Sequence, residues 1–216
     1  MQRVILEPEV STWILGLPDD TYDRVEAAID MLAQRGPGLG RPLVDSITGS
    51  RHQNMMELRV GTCRILFAFD PTATRSCWSL ATNAASGAPG THRPSPWPTN
   101  VRRMARALER RHTMTGHTTW SDLREQRDTT PLRRSAAREA LENQIAAYRL
   151  VEVRKARGLT QQQVATIMGI SQRRVSAIER GDLDRSELTT LRTYIEALGG
   201  QIHIVAEFDE VTTQIA

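Results

Sequence analysis

Between Thr160 and Gly181 the chain spells two short capped helices around a glycine corner, a pattern that few folds accommodate. Thr160-Gln161-Gln162-Gln163 reads as a capping box, a threonine with a glutamine three residues on. The helix that it opens turns Val164, Ala165 and Met168 inward. Gly169 supplies the left-handed corner, Ile170 plugs it, and Ser171 caps the next helix. In that second helix Val175 and Ile178 point to a core, Gln172, Arg173, Arg174 and Ser176 stay outside, and Gly181 closes it. A further helix over about 187–198 packs Leu188, Leu191, Ile195 and Leu198 beneath. Residues from about 149 to 208 are therefore expected to form a helix-turn-helix domain that binds double-stranded DNA. Glutamine can read adenine and arginine guanine, each through two hydrogen bonds. Gln161, at a helix N-terminus, suits a phosphate contact.

The segments Leu159–Ala165 and Ser171–Gly181 resemble the Cro/C1-type (XRE) helix-turn-helix family over roughly 153–198. The resemblance implies base reading by Gln172, Arg173 and Ala177, with Gln161 and Arg174 toward phosphates. Ala177 departs from the pattern, since a methyl can touch a thymine methyl but cannot hydrogen-bond. After Gly199-Gly200, Ile202, Ile204, Ala206 and Phe208 alternate with polar or smaller residues, as in a strand with one buried face. A lone strand needs a partner, most simply the same strand of a second copy, so a homodimer through 201–208 is expected. This ending resembles antitoxins of the HigA type, which the resemblance makes operator-bound dimers. His203 reads as a strand-surface residue.

The rest of the chain divides by its patterning. Residues 1–71 hold a short apolar segment at Val4-Ile5-Leu6, then Val10, Trp13, Ile14 and Leu17 at helical spacing. A second helix, capped by Asp19 and Asp20, carries Tyr22, Val25, Ala28, Ile29 and Leu32 on one face and stops at Gly36-Pro37-Gly38. Two strand patterns, 55–60 and 63–70, join at Gly61-Thr62. In the second of these Ile65, Phe67 and Phe69 face one way and Arg64, Leu66 and Ala68 the other. Residues 72–113 show no sustained period and read as disordered, although Trp78 and Trp97 are unusual in a linker. From Met114 the chain is well patterned again. A helix opens at Thr130-Pro131 with Ala140, Leu141, Ile145, Tyr148 and Val153 inward, and Gly158 ends it. The expected fold class is an α+β N-terminal fragment of two helices and an antiparallel hairpin, a disordered middle, and a mainly α helix-turn-helix domain with a terminal strand.

Residues 1–71 resemble HigB-type toxins of the RelE-like superfamily. The matching pieces are Gly36–Val44, Ser50–His52, Met56–Arg59 and Arg64–Asp70. The resemblance implies a ribosome-dependent mRNA endonuclease that works without metal, and Arg59 and Arg64 are the surviving catalytic candidates. Structural arginines on a hairpin face are an equally good reading. The family's later strand, its Gly-Asp-Lys turn and its Ile-Pro-x-Ala-Asp-Glu segment are absent as protein. Back-translation from Cys77 permits them in order in the overlapping frame, Leu80–Asn83 giving Gly-Asp-Lys-Arg and Ser95–Asn100 giving Ile-Pro-Leu-Ala-Asp-Glu. The chain thus reads as a toxin fragment fused, by frameshift, to an antitoxin at 114–216, with an exposed sheet edge where the toxin's final strand is missing.

That reading makes the protein a DNA-binding regulator of antitoxin type with an inactive toxin remnant. The alternative is a fusion whose N-terminal part keeps endonuclease activity. Expected partners are operator DNA, a second copy and a cognate toxin. The net charge of +3 permits DNA without demanding it. Two cysteines and five scattered histidines give no metal-ligand spacing, and no phosphate loop is present, so no metal and no cofactor are expected. No stretch approaches the roughly 18 uninterrupted apolar residues of a membrane span, and Met1–Pro8 lacks a signal-peptide layout, so a cytoplasmic protein is expected.

Overall fold

Val4, Ile5 and Leu6 are all buried, as consecutive apolar residues must be in a strand covered on both faces. In the computed structural model, which describes residues 3–47, 55–69, 77–82, 118–181, 188–208 and 211–214, they lie in β1 (Arg3–Leu6). Helices α1 (Pro8–Leu15) and α2 (Asp19–Arg35) follow. Then come β2 (Val44–Ser46), β3 (Met55–Val60), β4 (Cys63–Phe69), β5 (Cys77–Thr82) and β6 (Thr118–Thr119). These form a six-stranded sheet in the order β2-β3-β4-β5-β1-β6. Only β1 and β5 run parallel; the other neighbours are antiparallel.

The α2 face expected from periodicity is fully buried at Tyr22, Val25, Ala28, Ile29 and Leu32. Pro18, however, occupies the N-cap, and Asp19 is the first helical residue rather than a cap, so its carboxylate is left to another partner. In β4 both faces are covered, with Ile65 and Phe67 buried on one side and Leu66 on the other.

Residues 72–113 were expected to lack regular structure, but β5 forms within them and fills the place between β4 and β1. The bare edge expected for the toxin-like sheet is therefore occupied. Backbone pairing explains this, because two facing strand edges offer ladders to any segment of suitable reach, whatever its side-chain period. Ser50–His52, the frame-shifted reading of 83–113 and Met114 lie outside the described residues.

Two compact units part between Leu141 and Glu142. The first unit includes α3 (Trp120–Arg124) and residues 131–141 of α4 (Pro131–Ala156). Thr130 opens α4 as expected, its Oγ1 accepting from the Arg133 amide at 3.3 Å. The buried positions of α4 are Ala137, Leu141, Ile145, Ala147 and Arg154, while Ala140 and Val153 are exposed and Tyr148 is half-buried.

The second unit continues with α5 (Gln161–Met168), α6 (Gln172–Ile178) and α7 (Leu188–Ala197). Val164, Ala165, Val175, Ile178, Tyr194 and Leu198 make its core. Leu188 is exposed rather than packed, since Tyr194 takes the central place on α7. The terminal strand is shorter than expected. It is β7 (Val205–Phe208), and it pairs antiparallel with β8 (Val211–Gln214) of the same chain. The strand that had called for a second copy thus finds a first partner six residues along. No described helix is long and apolar enough to cross a membrane.

Candidate nucleic-acid interface

Helices α5 and α6 are each fixed at the N-terminus by a side chain. Thr160 Oγ1 accepts from the Gln163 amide at 3.2 Å, and Gln163 Oε1 accepts from the Thr160 amide at 2.8 Å. Ser171 Oγ accepts from the Arg174 amide at 3.2 Å. Between them Gly169 sits at φ +66°, the left-handed corner that a Cβ would strain. Ile170 closes the turn through its amide, which donates to the Ala165 carbonyl at 3.0 Å.

The corner presents the expected DNA-contact residues on one side. Ser171, Gln172, Arg173 and Arg174 are exposed, and Gln161, Ser176 and Ala177 are half-buried. Gln172 donates Nε2 to Gln161 Oε1 at 2.6 Å, so the residues expected to read a base and to contact a phosphate already form one hydrogen-bonded pair. Ser176 Oγ accepts from Arg180 at 2.8 Å, which leaves its own hydroxyl hydrogen to donate elsewhere.

Sequence reading missed the group beneath this surface. Glu179, with 3% of its side chain exposed, accepts from Arg154 Nε at 2.6 Å and Nη2 at 2.9 Å. It also accepts from the Tyr194 hydroxyl at 2.7 Å and from Gln161 Nε2 at 2.9 Å. One carboxylate thereby joins α4, α5, α6's C-cap and α7. Burial alone would raise its pKa, but the hydrogen bonds from Arg154, Gln161 and Tyr194 together hold it below the usual glutamate value. Burial and the Glu179 carboxylate push the Tyr194 hydroxyl upward, so it stays a donor. Arg154 lies seven residues after the buried Ala147 and so on the same side of α4, opposite Leu141 and Ile145.

In the first unit, Arg59 and Arg64 face each other across β3 and β4. Arg59 is paired with Glu57 at 2.7 Å and Asp45 at 3.0 Å. Arg64 lies 3.6 Å from Glu57 and donates Nη1 to the Gly61 and Cys63 carbonyls, each at 2.8 Å. The structure brings the two candidates together but fills their donors with protein acceptors. Among the described residues no group of histidine, cysteine, aspartate or glutamate could hold a metal.

Comparison with known proteins also divides the chain in two, with the second match beginning inside the first compact unit. A family model described as "Helix-turn-helix domain" matches residues 133–207, and one described as "Phage derived protein Gp49-like" matches residues 12–75. The Mycobacterium tuberculosis protein named antitoxin HigA3 is 46% identical over 107 residues, covering 47% of this chain and 98% of that relative. The chain belongs to the HigA antitoxin family. Its other half is toxin-like: the M. tuberculosis protein named toxin HigB3 is 53% identical over 70 residues, 32% of this chain. The chain spans 61% of that relative's length. A solved HigA antitoxin structure, described as induced DNA bending by unique dimerization, is 53% identical with a TM-score of 0.29, over 30% of this chain and 85% of that one. This HigA-family chain therefore carries a HigB-like piece and a helix-turn-helix in one polypeptide.

Proposed function

We propose that the protein is a sequence-specific DNA-binding regulator of antitoxin type that carries an inactive toxin remnant. The observation that supports it most is the capped α6, with Gln172 and Arg173 exposed and Gln172 held by Gln161. Arg173 reads a guanine, Gln172 an adenine and Ala177 a thymine methyl, while Gln161 and Arg174 contact phosphates. The protein acts in the cytoplasm as a homodimer, with the β7–β8 hairpin as the contact surface. Residues 72–113 are translated out of the toxin's frame, which removes the toxin family's last segments. With Arg59 and Arg64 engaged by Glu57 and Asp45, phosphate binding there would first have to break ion pairs.

The test is fluorescence anisotropy on DNA from upstream of the protein's own coding region. Binding should fall steeply with salt. Arg173→Ala should relax preference at a single G·C pair by about 1–3 kcal/mol while other positions keep theirs. An equal loss on every sequence would remove Arg173 from base reading. Sequencing codons 72–113 and weighing the native protein tests the frame.

One observation favours the alternative that the first unit still cleaves mRNA: β5 gives it a continuous sheet. Site-resolved mRNA cleavage in a translating extract, lost on Arg59→Ala, would establish that reading instead.

A further inference from the structure

The toxin-like and antitoxin-like stretches touch inside the first unit, and the contact is built from an unusual concentration of arginine. Residues 118–138 contain five arginines and no lysine. Along α2, Asp19, Asp23, Glu26, Asp30 and Gln34 fall three or four residues apart, which puts them on one stripe.

The pairing follows the stripe in order. Arg127 binds Asp19, sits 4.1 Å from the centre of the Tyr22 ring, and donates to the Leu15 and Leu17 carbonyls at 3.2 and 2.8 Å. Arg133 grips Asp23 with two donors, at 2.8 and 3.1 Å. Arg124 and Arg134 converge on the fully buried Glu26 at 3.2 and 3.1 Å. Trp120 Nε1 donates to Asp30 at 2.7 Å, and Arg138 reaches Gln34 at 2.9 Å. Trp120 and Leu123 are buried beside these pairs, and Thr118–Thr119 add a short strand to the outer edge of β1. Arg133, Arg134 and Arg138 lie within the helix-turn-helix family match, and their partners lie within the Gp49-like match.

We propose that residues 118–138 are a toxin-binding strap, closed here on the chain's own first unit. The protein thus acts on DNA as a pre-occupied antitoxin and takes up no second toxin molecule of the same kind. This rests on the antitoxin reading above. The strap fits a helix bearing acids at positions i, i+4, i+7 and i+11 beside an open strand edge, and its own α2 meets that description. A tethered partner competes at an effective concentration of order millimolar, well above a free toxin.

The test uses the full chain and, as probe, a fluorescein-labelled synthetic peptide of residues 117–139. Wild-type chain should leave 10 µM peptide essentially free. A chain with its strap opened by Arg127→Asp and Arg133→Asp should bind the peptide at least tenfold more tightly, and 0.5 M NaCl should reverse most of that gain. Equal binding to both chains would overturn the closed strap. No binding to an opened chain whose circular dichroism matches wild type would overturn the strap as a separable element. If the opened chain does not fold, the single charge reversal Arg133→Asp, which sets a carboxylate against Asp23 and Asp19, takes its place under the same two criteria. Operator binding is measured on the same samples, so a failure of the DNA-binding reading shows separately from a failure of the strap.

Discussion

In the first unit, several arginines meet a row of carboxylates that runs from the open Asp19 to the buried Glu26, while in the second a single arginine and a single carboxylate meet in the core. Arg133 and Asp19 keep 37% and 68% of their side chains exposed, whereas Arg154 and Glu179 keep 10% and 3%. The row joins segments about a hundred residues apart, and the pairs at its open end, on Asp19, are screened by salt and cost side-chain entropy. The buried pair gains strength from low dielectric and full hydrogen bonding, and it is costly to break because either partner left alone is an unsolvated charge. The same chemistry therefore serves as a releasable contact in one place and as a fixed framework in the other.

The largest effect should come from the buried pair. Glu179→Ala leaves Arg154 uncompensated and should destabilise the helix-turn-helix unit by about 3–5 kcal/mol, read by urea unfolding of the full chain. A loss under 1 kcal/mol would place Glu179 with the surface pairs and break the contrast. Its Gln161 contact should also go, so any folded fraction should bind DNA more weakly.

Trp120→Phe comes next. It keeps the buried ring but removes the donor to Asp30, and a cost of about 1–3 kcal/mol is expected in thermal unfolding of the first unit. Acid titration sharpens the same comparison. Glu179 titrates below its unfolded value of 4.5, so its contribution is complete above that pH and is lost as pH falls through the lower folded value. Asp19 shifts the same way because Arg127 donates to it, then because Arg133 and Arg127 lie close. Salt should separate the two: 0.5 M NaCl should erase the Asp19 contribution and leave the acid loss of the second unit in place. Arg133→Ala should be smallest, with no measurable change in the unfolding midpoint at physiological salt and a visible one only at low ionic strength.

Local signals in the sequence were enough to place α2, α5 and α6. The buried face of α2 and the Thr160 and Ser171 caps involve residues within four positions of each other, where side-chain period and capping chemistry act directly. The positions of Gln161 and Gln172 at the starts of α5 and α6 were also legible, though their mutual hydrogen bond was not. The second strand of the terminal hairpin was overlooked because Val211–Gln214 is short and carries one apolar residue, so its only strong signal is the pairing itself. On α4 the inward face was misjudged at Ala140 and Val153, since an evenly mixed helix gives periodicity little to grip and the neighbours decide which side is covered.

By itself the sequence determined the corner at Gly169, the two capped helices around it and the exposed run Ser171–Arg174, because those are set by backbone sterics and contacts a few residues apart. The tertiary structure alone decided that Cys77–Thr82 enters the sheet, that the 118–138 arginines close on α2, and that Glu179 collects four donors from three other helices. Each of these depends on groups brought together across 15 to more than 100 residues, where no local period records the partner and the gain must exceed the entropy of closing the loop.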